Sequence, residues 1–139
     1  MTKTRMTIAR AMILVLGSAS LFAALAPSAA SAATPRNGIC ESGEICFYWG
    51  HNLTGSLSDF TASLANYGST QPSCYEFRSS GIGQGECIKN NATSAWNRSS
   101  RPVRVYYNSN YGGPYDNVAA GTSRNLSNTY LDNASHRFL

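Results

Sequence analysis

Apolar and polar positions alternate most clearly between Val103 and Val118, VRVYYNSNYGGPYDNV. Val103, Val105 and Tyr107 fall on one side, Arg104, Tyr106 and Asn108 on the other, the period of two expected of a half-buried strand. A polar Asn-Ser-Asn run and the pair Gly112-Gly113 follow, then a second short strand pattern from Tyr115 to Val118. Glycine tolerates positive φ, so the two strands are predicted to fold back as a tight hairpin. The same arrangement stands 58 positions earlier, as ICFYWGHNLTGSLSDF from Ile45 to Phe60, and the two stretches align without a gap. Ile45 falls on Val103, Phe47 on Val105, Tyr48 on Tyr106, Asn52 on Asn110, Gly55 on Gly113 and Phe60 on Val118. Downstream, after one length change, Asn90-Asn91-Ala92 aligns with Asp132-Asn133-Ala134, each followed by a short segment with one large apolar side chain, Trp96 or Phe138. An internal β repeat in so short a chain predicts two hairpin-led motifs sharing one core.

Strands are predicted near Ile45–Trp49, Ser56–Phe60, Cys74–Arg78 and Ser94–Asn97, with a closing strand over Ala134–Phe138. Thr61–Ser73 carries Asn66, Gly68 and Pro72 and reads as loop, although Ala62–Tyr67 has the spacing of one helical turn. Ala119–Asn128 reads as loop, and Asn97–Pro102 as a polar link between the halves. Beyond Ala32 no segment sustains a helical period, so the fold class is all-β.

The segment up to Ala32 has a different character. Lys3, Arg5 and Arg10 precede an apolar run from Ala11 to about Ala26, Pro27 ends it, and Ala30-Ser31-Ala32 supplies small residues. The pattern predicts a secretory signal peptide, 1–32, cleaved after Ala32; an apolar run of about 16 residues is short for spanning a bilayer. Cleavage removes three of the 11 basic residues and none of the seven acidic ones, leaving eight against seven, a net charge of +1 for Ala33–Leu139. The remaining arginines are scattered, with no basic stripe to follow a phosphate backbone, so nucleic acid is excluded as a partner. No membrane contact is expected after cleavage. Residues 33–39, with Pro35 and Gly38, are expected to be a flexible lead-in to a single domain over 40–139.

A domain of this size buries only a modest core, and its cysteines address that weakness. Cys40, Cys46, Cys74 and Cys87 all follow the leader, an even number in a chain marked for an oxidising compartment. Of the three possible pairings, Cys40–Cys46 with Cys74–Cys87 is favoured, because Gly43 permits reversal of the first loop and Gly81, Gly83 and Gly85 of the second. Each such loop closure stabilises a fold by about 2–4 kcal/mol. The spacings lack a CxxC pair and the histidines are distant in sequence, which argues against zinc.

Catalytic chemistry is sparse. His51 and His136 lack any metal-ligand spacing; His51 reads as a turn residue and His136 as one bonded to neighbouring backbone. The carboxylates stand singly, Asp59, Asp116 and Asp132 reading as turn or strand-end residues. No catalytic residue is assigned and the chain is not expected to be an enzyme. Aromatic side chains are more suggestive: Tyr48, Trp49, Tyr106, Tyr107, Tyr111 and Tyr115 crowd two hairpins, where they serve either recognition or half-buried packing.

Tyr106-x4-Tyr111-x-Gly113 resembles the βγ-crystallin Greek-key signature, in which the first aromatic packs across the hairpin and the glycine permits its bend. The first repeat keeps Tyr48 and Gly55 but has Leu53 at the second aromatic position. Together with Cys40/Cys46 before CFYW and the ending NASHRF, the chain resembles secreted bacterial peptidase inhibitors of the βγ-crystallin-like family, related to the actinomycete metalloproteinase inhibitor. That resemblance implies two Greek-key motifs, about 40–99 and 100–139, packed as one disulfide-braced domain, a monomer acting on an extracellular peptidase by occluding its active site with a rigid loop. No reactive bond carries over, because this chain lacks the compact second cysteine loop of the actinomycete inhibitor; the surfaces expected to face a peptidase are the Cys74–Cys87 loop with Arg78, whose glycines weigh against stiffness, and the hairpin turn Asn108–Tyr111 with Asn110. Two rival functions are a cell-wall polysaccharide module using Tyr107, Tyr111 and Tyr115 as a stacking platform, and a structural crystallin domain. The family also raises calcium, through an Asn/Asp-Asn/Asp-x-x-Ser/Thr-Ser pattern. Asn90, Asn91 and Ser94 meet part of it, and Asp132 and Asn133 only its start, with His136 and Arg137 where hydroxyls belong. Calcium binding is therefore expected to be weak or absent, and no other cofactor is implied.

Overall fold

The computed structural model describes residues 31–139, so the predicted signal peptide lies outside the described residues except for its last two positions. Two hairpins organise everything else. The first joins β1 (Ile45–Gly50) to β2 (Thr54–Phe60), and the second joins β4 (Val103–Asn108) to β5 (Gly112–Val118). A 3-10 turn closes each, His51–Leu53 and Ser109–Tyr111, so every boundary of one hairpin recurs at the same offset in the other. Backbone conformation follows the same repeat. Asn52 and Asn110 both occupy the left-handed region (φ 54° and 59°), as do Gly55 and Gly113 (φ 75° and 77°). Asparagine accepts that region more readily than most side chains, which explains the repeat at this position. Of the Gly-Gly pair only Gly113 needs to be glycine for its φ; Gly112 sits at an ordinary −110°.

Each hairpin is completed by a strand from its own motif, β3 (Ser94–Asn97) or β7 (Ser135–Phe138). One sheet has the order β2-β1-β3-β6, with β6 formed by Ser123–Asn125, and the other β5-β4-β7. The outermost strand of the first sheet, β6, comes from the second motif. Its segment reads as loop in the sequence because all three residues are exposed and polar, leaving no alternation. The exchange is reciprocal: Leu64 of the first motif bridges to His136 of β7, with both backbone bonds at 3.0 Å. That bridge, rather than a helical turn, is what Ala62–Tyr67 forms. Each motif thus lends a segment to the other's sheet, and the two fold as one domain.

A serine fixes the bend of each hairpin. Ser94 Oγ accepts from Leu53 N (3.0 Å) and donates to Gly50 O (2.6 Å). Ser135 Oγ accepts from Tyr111 N (3.1 Å) and donates to Asn108 O (2.7 Å). This equivalence corrects the sequence alignment downstream of the hairpins by one residue. Ser94 matches Ser135, so Asn91 matches Asp132, and Asn133 has Ala92 as its counterpart. Leu131 then matches Asn90, and both are left-handed (φ 56° and 62°). Asn-rich turns of low complexity carry no apolar anchor, so the pattern leaves their register free by one.

Between the sheets lie Ile45, Phe47, Phe60, Tyr67, Phe77, Ile88, Val103, Val105, Val118 and Phe138, all buried. His136 sits among them with no exposed surface, its ring 5.3 Å from that of Phe47 and 4.9 Å from that of Phe60. Disulfides join Cys40 to Cys46 and Cys74 to Cys87, the favoured pairing. The segment expected as a flexible lead-in has neither strand nor helix, yet it is tied down: Asn37 N and Gly38 N donate to the Asp59 carboxylate at 2.9 and 2.8 Å.

Candidate functional site

The first motif differs from the second by an insertion between β2 and β3, since the offset of 58 between the hairpins falls to 41 between the closing strands. The extra residues make the Cys74–Cys87 loop. Cys74–Arg78 is not the predicted strand. Its alternation reflects anchoring, with Phe77 buried and Tyr75 half out, and only the isolated bridge Glu76 to Cys87 pairs it. The arms are held together by Ile88 N to Tyr75 O (2.8 Å) and Phe77 N to Glu86 O (2.9 Å), beside the disulfide.

The tip is fastened to the free edge of β2. Arg78 N donates to Leu57 O (2.7 Å), Leu57 N to Ser79 Oγ (2.8 Å) and Ser56 N to Ile82 O (2.9 Å). An exposed edge strand is an invitation to unwanted pairing, and here the loop covers it. Two tight turns, Gln84 N to Gly81 O and Glu86 N to Gly83 O (both 3.1 Å), fold the tip back. Two of the glycines that in the sequence weigh against stiffness, Gly81 and Gly83, are closely packed, whereas Gly85 faces open space. A Cβ on Gly83 would fall 2.3 Å from the Trp49 ring, and that tryptophan packs edge-on against Phe77 (5.6 Å). The outcome is a tip whose backbone is tied to β2 through Ile82 O and folded on itself by two turns, with one large apolar side chain left out: Ile82 is 77% exposed, more than any other large apolar residue described.

Arg36 supports the same region from the lead-in. Its guanidinium lies over Phe60 (4.8 Å) and Tyr75 (5.3 Å) and donates to Glu76 O (2.8 Å) and to Ser58 Oγ. Burial holds its pKa below the usual arginine value despite nearby Asp59. Two open polar clefts flank it, lined by Glu76, Arg78 and Gln84 on one side and by Gln71 and Tyr75 on the other. Arg78 itself is exposed and pairs with Glu76 at 3.1 Å.

The other sequence-derived candidates fall elsewhere. Tyr106, Tyr111 and Tyr115 meet ring to ring (5.8 and 6.0 Å) on the second sheet, whereas Tyr107 lies at the register shift of β4 and makes none of these contacts. The turn holding Asn108 and Asn110 is braced by Asn110 N to Ala65 O (2.7 Å) and by Lys89 Nζ to Ser109 Oγ (3.3 Å). The calcium candidates come together, since Asn90 N donates to Asn133 O at 2.8 Å. Their side chains are largely spent on the backbone. Asn133 Oδ1 accepts from Ala92 N (3.1 Å), Asn133 Nδ2 donates to Ile88 O (2.9 Å), Asn91 Nδ2 to Cys87 O (2.8 Å), and the Ser94 hydroxyl is held in the hairpin clamp. In the corrected register Ser135, not His136, stands at the fifth position of the second pattern, and Leu131 at its first. Among the described residues no three His, Cys, Asp or Glu side chains are grouped to hold a metal.

His136 is bonded to backbone as expected, Nε2 donating to Ala62 O (2.9 Å), while Nδ1 accepts from Tyr67 OH (3.0 Å). Burial lowers its pKa to about 4, so it stays neutral and enclosed. The residues that sequence reasoning left out of the site are Ile82, Trp49 and Arg36. Ile82 had a signal: an apolar side chain alone between two glycines inside a disulfide loop, where no strand pattern accounts for it.

The comparisons agree with this geometry. Peptidase inhibitor family I36 matches residues 33–118, a span holding both disulfides, both hairpins and the inserted loop. No protein of curated function matches the sequence. Among solved structures, a βγ-crystallin domain bearing on the evolution of the eye-lens fold aligns at 9% identity, with 80% of this chain and 93% of that chain covered and a TM-score of 0.52. A βγ-crystallin from Ciona intestinalis aligns at 12% identity, 70% and 100% coverage and a TM-score of 0.52. The N-terminal domain of protein S aligns at 17% identity, 69% and 94% coverage and a TM-score of 0.50. At such identities the likeness concerns the fold alone, and it is the family match that reaches function: the chain is a non-enzymatic member of peptidase inhibitor family I36, on a βγ-crystallin fold.

Proposed function

We propose that the protein is exported and inhibits an extracellular peptidase by presenting the Cys74–Cys87 loop, with Ile82 at its tip, to the active-site cleft. The observation that carries this reading is the combination at Ile82: its backbone is bonded to β2 and its side chain stands 77% exposed. A loop whose backbone is already ordered loses little freedom on binding, so more of the side chain's burial appears as affinity. The same constraint resists cleavage, because a peptidase must pull a substrate backbone into extended form and this one is held to β2 at Ile82 O and folded back by the Gly81–Gln84 and Gly83–Glu86 turns. The disulfides and the leader pattern fit an oxidising, peptidase-containing environment. Metallopeptidases are the first target class to test, on the resemblance of the sequence to the actinomycete inhibitor.

The experiment titrates the oxidised protein against thermolysin-like and subtilisin-like peptidases with a small peptide substrate. Inhibition is expected to saturate near one-to-one stoichiometry in one class. Ile82→Asp is expected to weaken it at least 30-fold, the scale of an interface hot spot of about 2 kcal/mol, with unchanged thermal stability. Full peptidase activity at micromolar protein in both classes would remove the support for these targets. Undiminished inhibition by Ile82→Asp would move the inhibitory surface elsewhere.

A further inference from the structure

The outer face of the second sheet carries a feature that the fold does not require. Arg104 of β4 and Arg137 of β7 are direct Cα partners across the antiparallel pair, so two like charges stand side by side on one face. Like charges placed so are destabilising. Neither arginine forms an ion pair with another described residue. Instead each guanidinium lies on a tyrosine: Arg104 over Tyr115 at 4.1 Å and Arg137 over Tyr111 at 5.6 Å. Tyr106 lies buried between them, its ring 5.8 Å from Tyr111 and 6.0 Å from Tyr115. Asn117 Oδ1 accepts from Arg104 Nε at 3.0 Å, which fixes that guanidinium while leaving its two terminal nitrogens without a partner among the described residues.

The first motif shows what the fold itself needs here. The positions equivalent to Arg104, Arg137, Tyr111 and Tyr115 hold Cys46, Trp96, Leu53 and Leu57. Only Tyr106 has a tyrosine counterpart, Tyr48, so the hairpin bend accounts for that ring and for none of the others. Charge is uneven in the same direction. From residue 100 onward there are four arginines against two aspartates, and Asp116 is buried and paired with Arg124 at 3.1 Å.

We propose that this face binds a uronate-containing polysaccharide, with carboxylates received by Arg104 and Arg137 and sugar rings packing against the tyrosine surface that the guanidiniums leave open, chiefly that of Tyr115, which is 41% exposed. Arginine's planar fork matches a carboxylate in bidentate fashion. Tyrosine faces give a sugar ring an apolar surface to cover. A carboxylated pyranose brings both groups in one residue, whereas a glycerol-phosphate polymer has charge but no ring, and a neutral glycan has rings but no charge. Tyr111 and Tyr115 are separated by the single ring of Tyr106, a spacing that suits nearby residues of one extended chain. The face is separate from the Ile82 loop and would hold an inhibitor at a wall or matrix while leaving that loop free.

The test is affinity electrophoresis of the oxidised protein through gels containing polygalacturonate, neutral galactan or polyphosphate, with calorimetric titration of polygalacturonate oligomers. Retardation by polygalacturonate alone is expected, weakening as salt is raised. The double substitution Arg104→Gln with Arg137→Gln is expected to reduce affinity at least tenfold, and Tyr115→Leu about threefold, while peptidase inhibition by both variants stays at the parent level. NMR shift changes in the unsubstituted protein, centred on Tyr111, Tyr115 and the two arginines, locate the site independently of any variant. Absence of retardation by polygalacturonate, equal retardation by galactan or polyphosphate, shift changes centred elsewhere, or an undiminished effect in the double variant would each overturn the proposal.

Discussion

Between pH 4.5 and 6.5 two buried groups act on stability with opposite signs, and separating them tests the description of the core. His136 has its pKa lowered from 6.5 to about 4 by burial, only partly offset by its bond to Ala62 O. Its folded form resists protonation while the unfolded chain takes up a proton below 6.5. Its contribution is therefore complete above pH 6.5 and lost as pH falls towards 4. The slope is about 1.4 kcal/mol per pH unit where only the unfolded state is protonated, and it flattens near each pKa, giving roughly 2 kcal/mol over the window. Glu44 is the reverse. It has no exposed surface, one carboxylate oxygen accepts from Glu41 N (2.7 Å), and the other has no hydrogen-bond partner among the described residues. Burial raises its pKa from 4.5 to about 7, partly offset by the bond from Glu41 N, while the Asp59 and Glu41 charges add to the rise. Its contribution is complete below pH 4.5 and lost as pH rises through 7. The parent protein should thus show a nearly flat stability profile over this window. Glu44→Gln should unmask the histidine, with stability rising from pH 4.5 to 6.5, and His136→Gln should unmask the glutamate, with stability falling over the same range. Urea denaturation at half-unit pH steps, disulfides intact, measures all three. A flat profile for Glu44→Gln would refute the account of His136 as a neutral, enclosed ring.

The packing sets four more outcomes. Ser94→Ala and Ser135→Ala each leave an amide and a carbonyl without their hydroxyl partner and should cost about 1–3 kcal/mol by thermal or urea denaturation. Replacing Cys74 and Cys87 by alanine opens a loop of sequence separation 13 and should cost about 3 kcal/mol, with a larger proportional loss of inhibition because the Ile82 tip is freed. Gly83→Ala combines φ of 89° with a Cβ pushed into the Trp49 ring, and should shift tryptophan fluorescence and weaken inhibition together. Calcium at millimolar concentration should leave the melting temperature unchanged, since Asn133 and Ser94 already spend their oxygens on the backbone; a rise of several degrees would show that the loops rearrange to bind it.

What the sequence made legible was the part governed by local rules. The hairpins repeat because strand alternation, an asparagine in the left-handed region and one obligatory glycine must recur wherever that bend is built, and each leaves a residue type behind. Disulfide pairing was legible for a related reason, both loops being short and glycine-containing. The exchange of β6 and Leu64 between sheets was not, because its contacts are backbone bonds between exposed or irregular segments that need no particular side chain. The register of the Asn-rich turns slipped by one for want of an apolar anchor.

The candidate site was legible only in outline, and the reason bears on where function resides in this fold. A repeated motif constrains what both copies share: Tyr48 with Tyr106, Gly55 with Gly113, Ser94 with Ser135. Whatever a particular protein adds must lie where the copies differ, and two such places present exposed side chains. The first copy carries the insertion that covers the β2 edge and puts Ile82 into solvent; the second carries arginines and tyrosines where the first has Cys46, Trp96, Leu53 and Leu57. Alignment of one half on the other highlights what is shared and so points away from both. Subtracting the halves points towards them. The asymmetric positions have no duty to the hairpin bends or to the exchanged strands. Substitution of the exposed and half-exposed side chains there, Ile82, Arg104, Arg137 and Tyr115, should therefore change binding with little change in stability, the converse of the serine clamps.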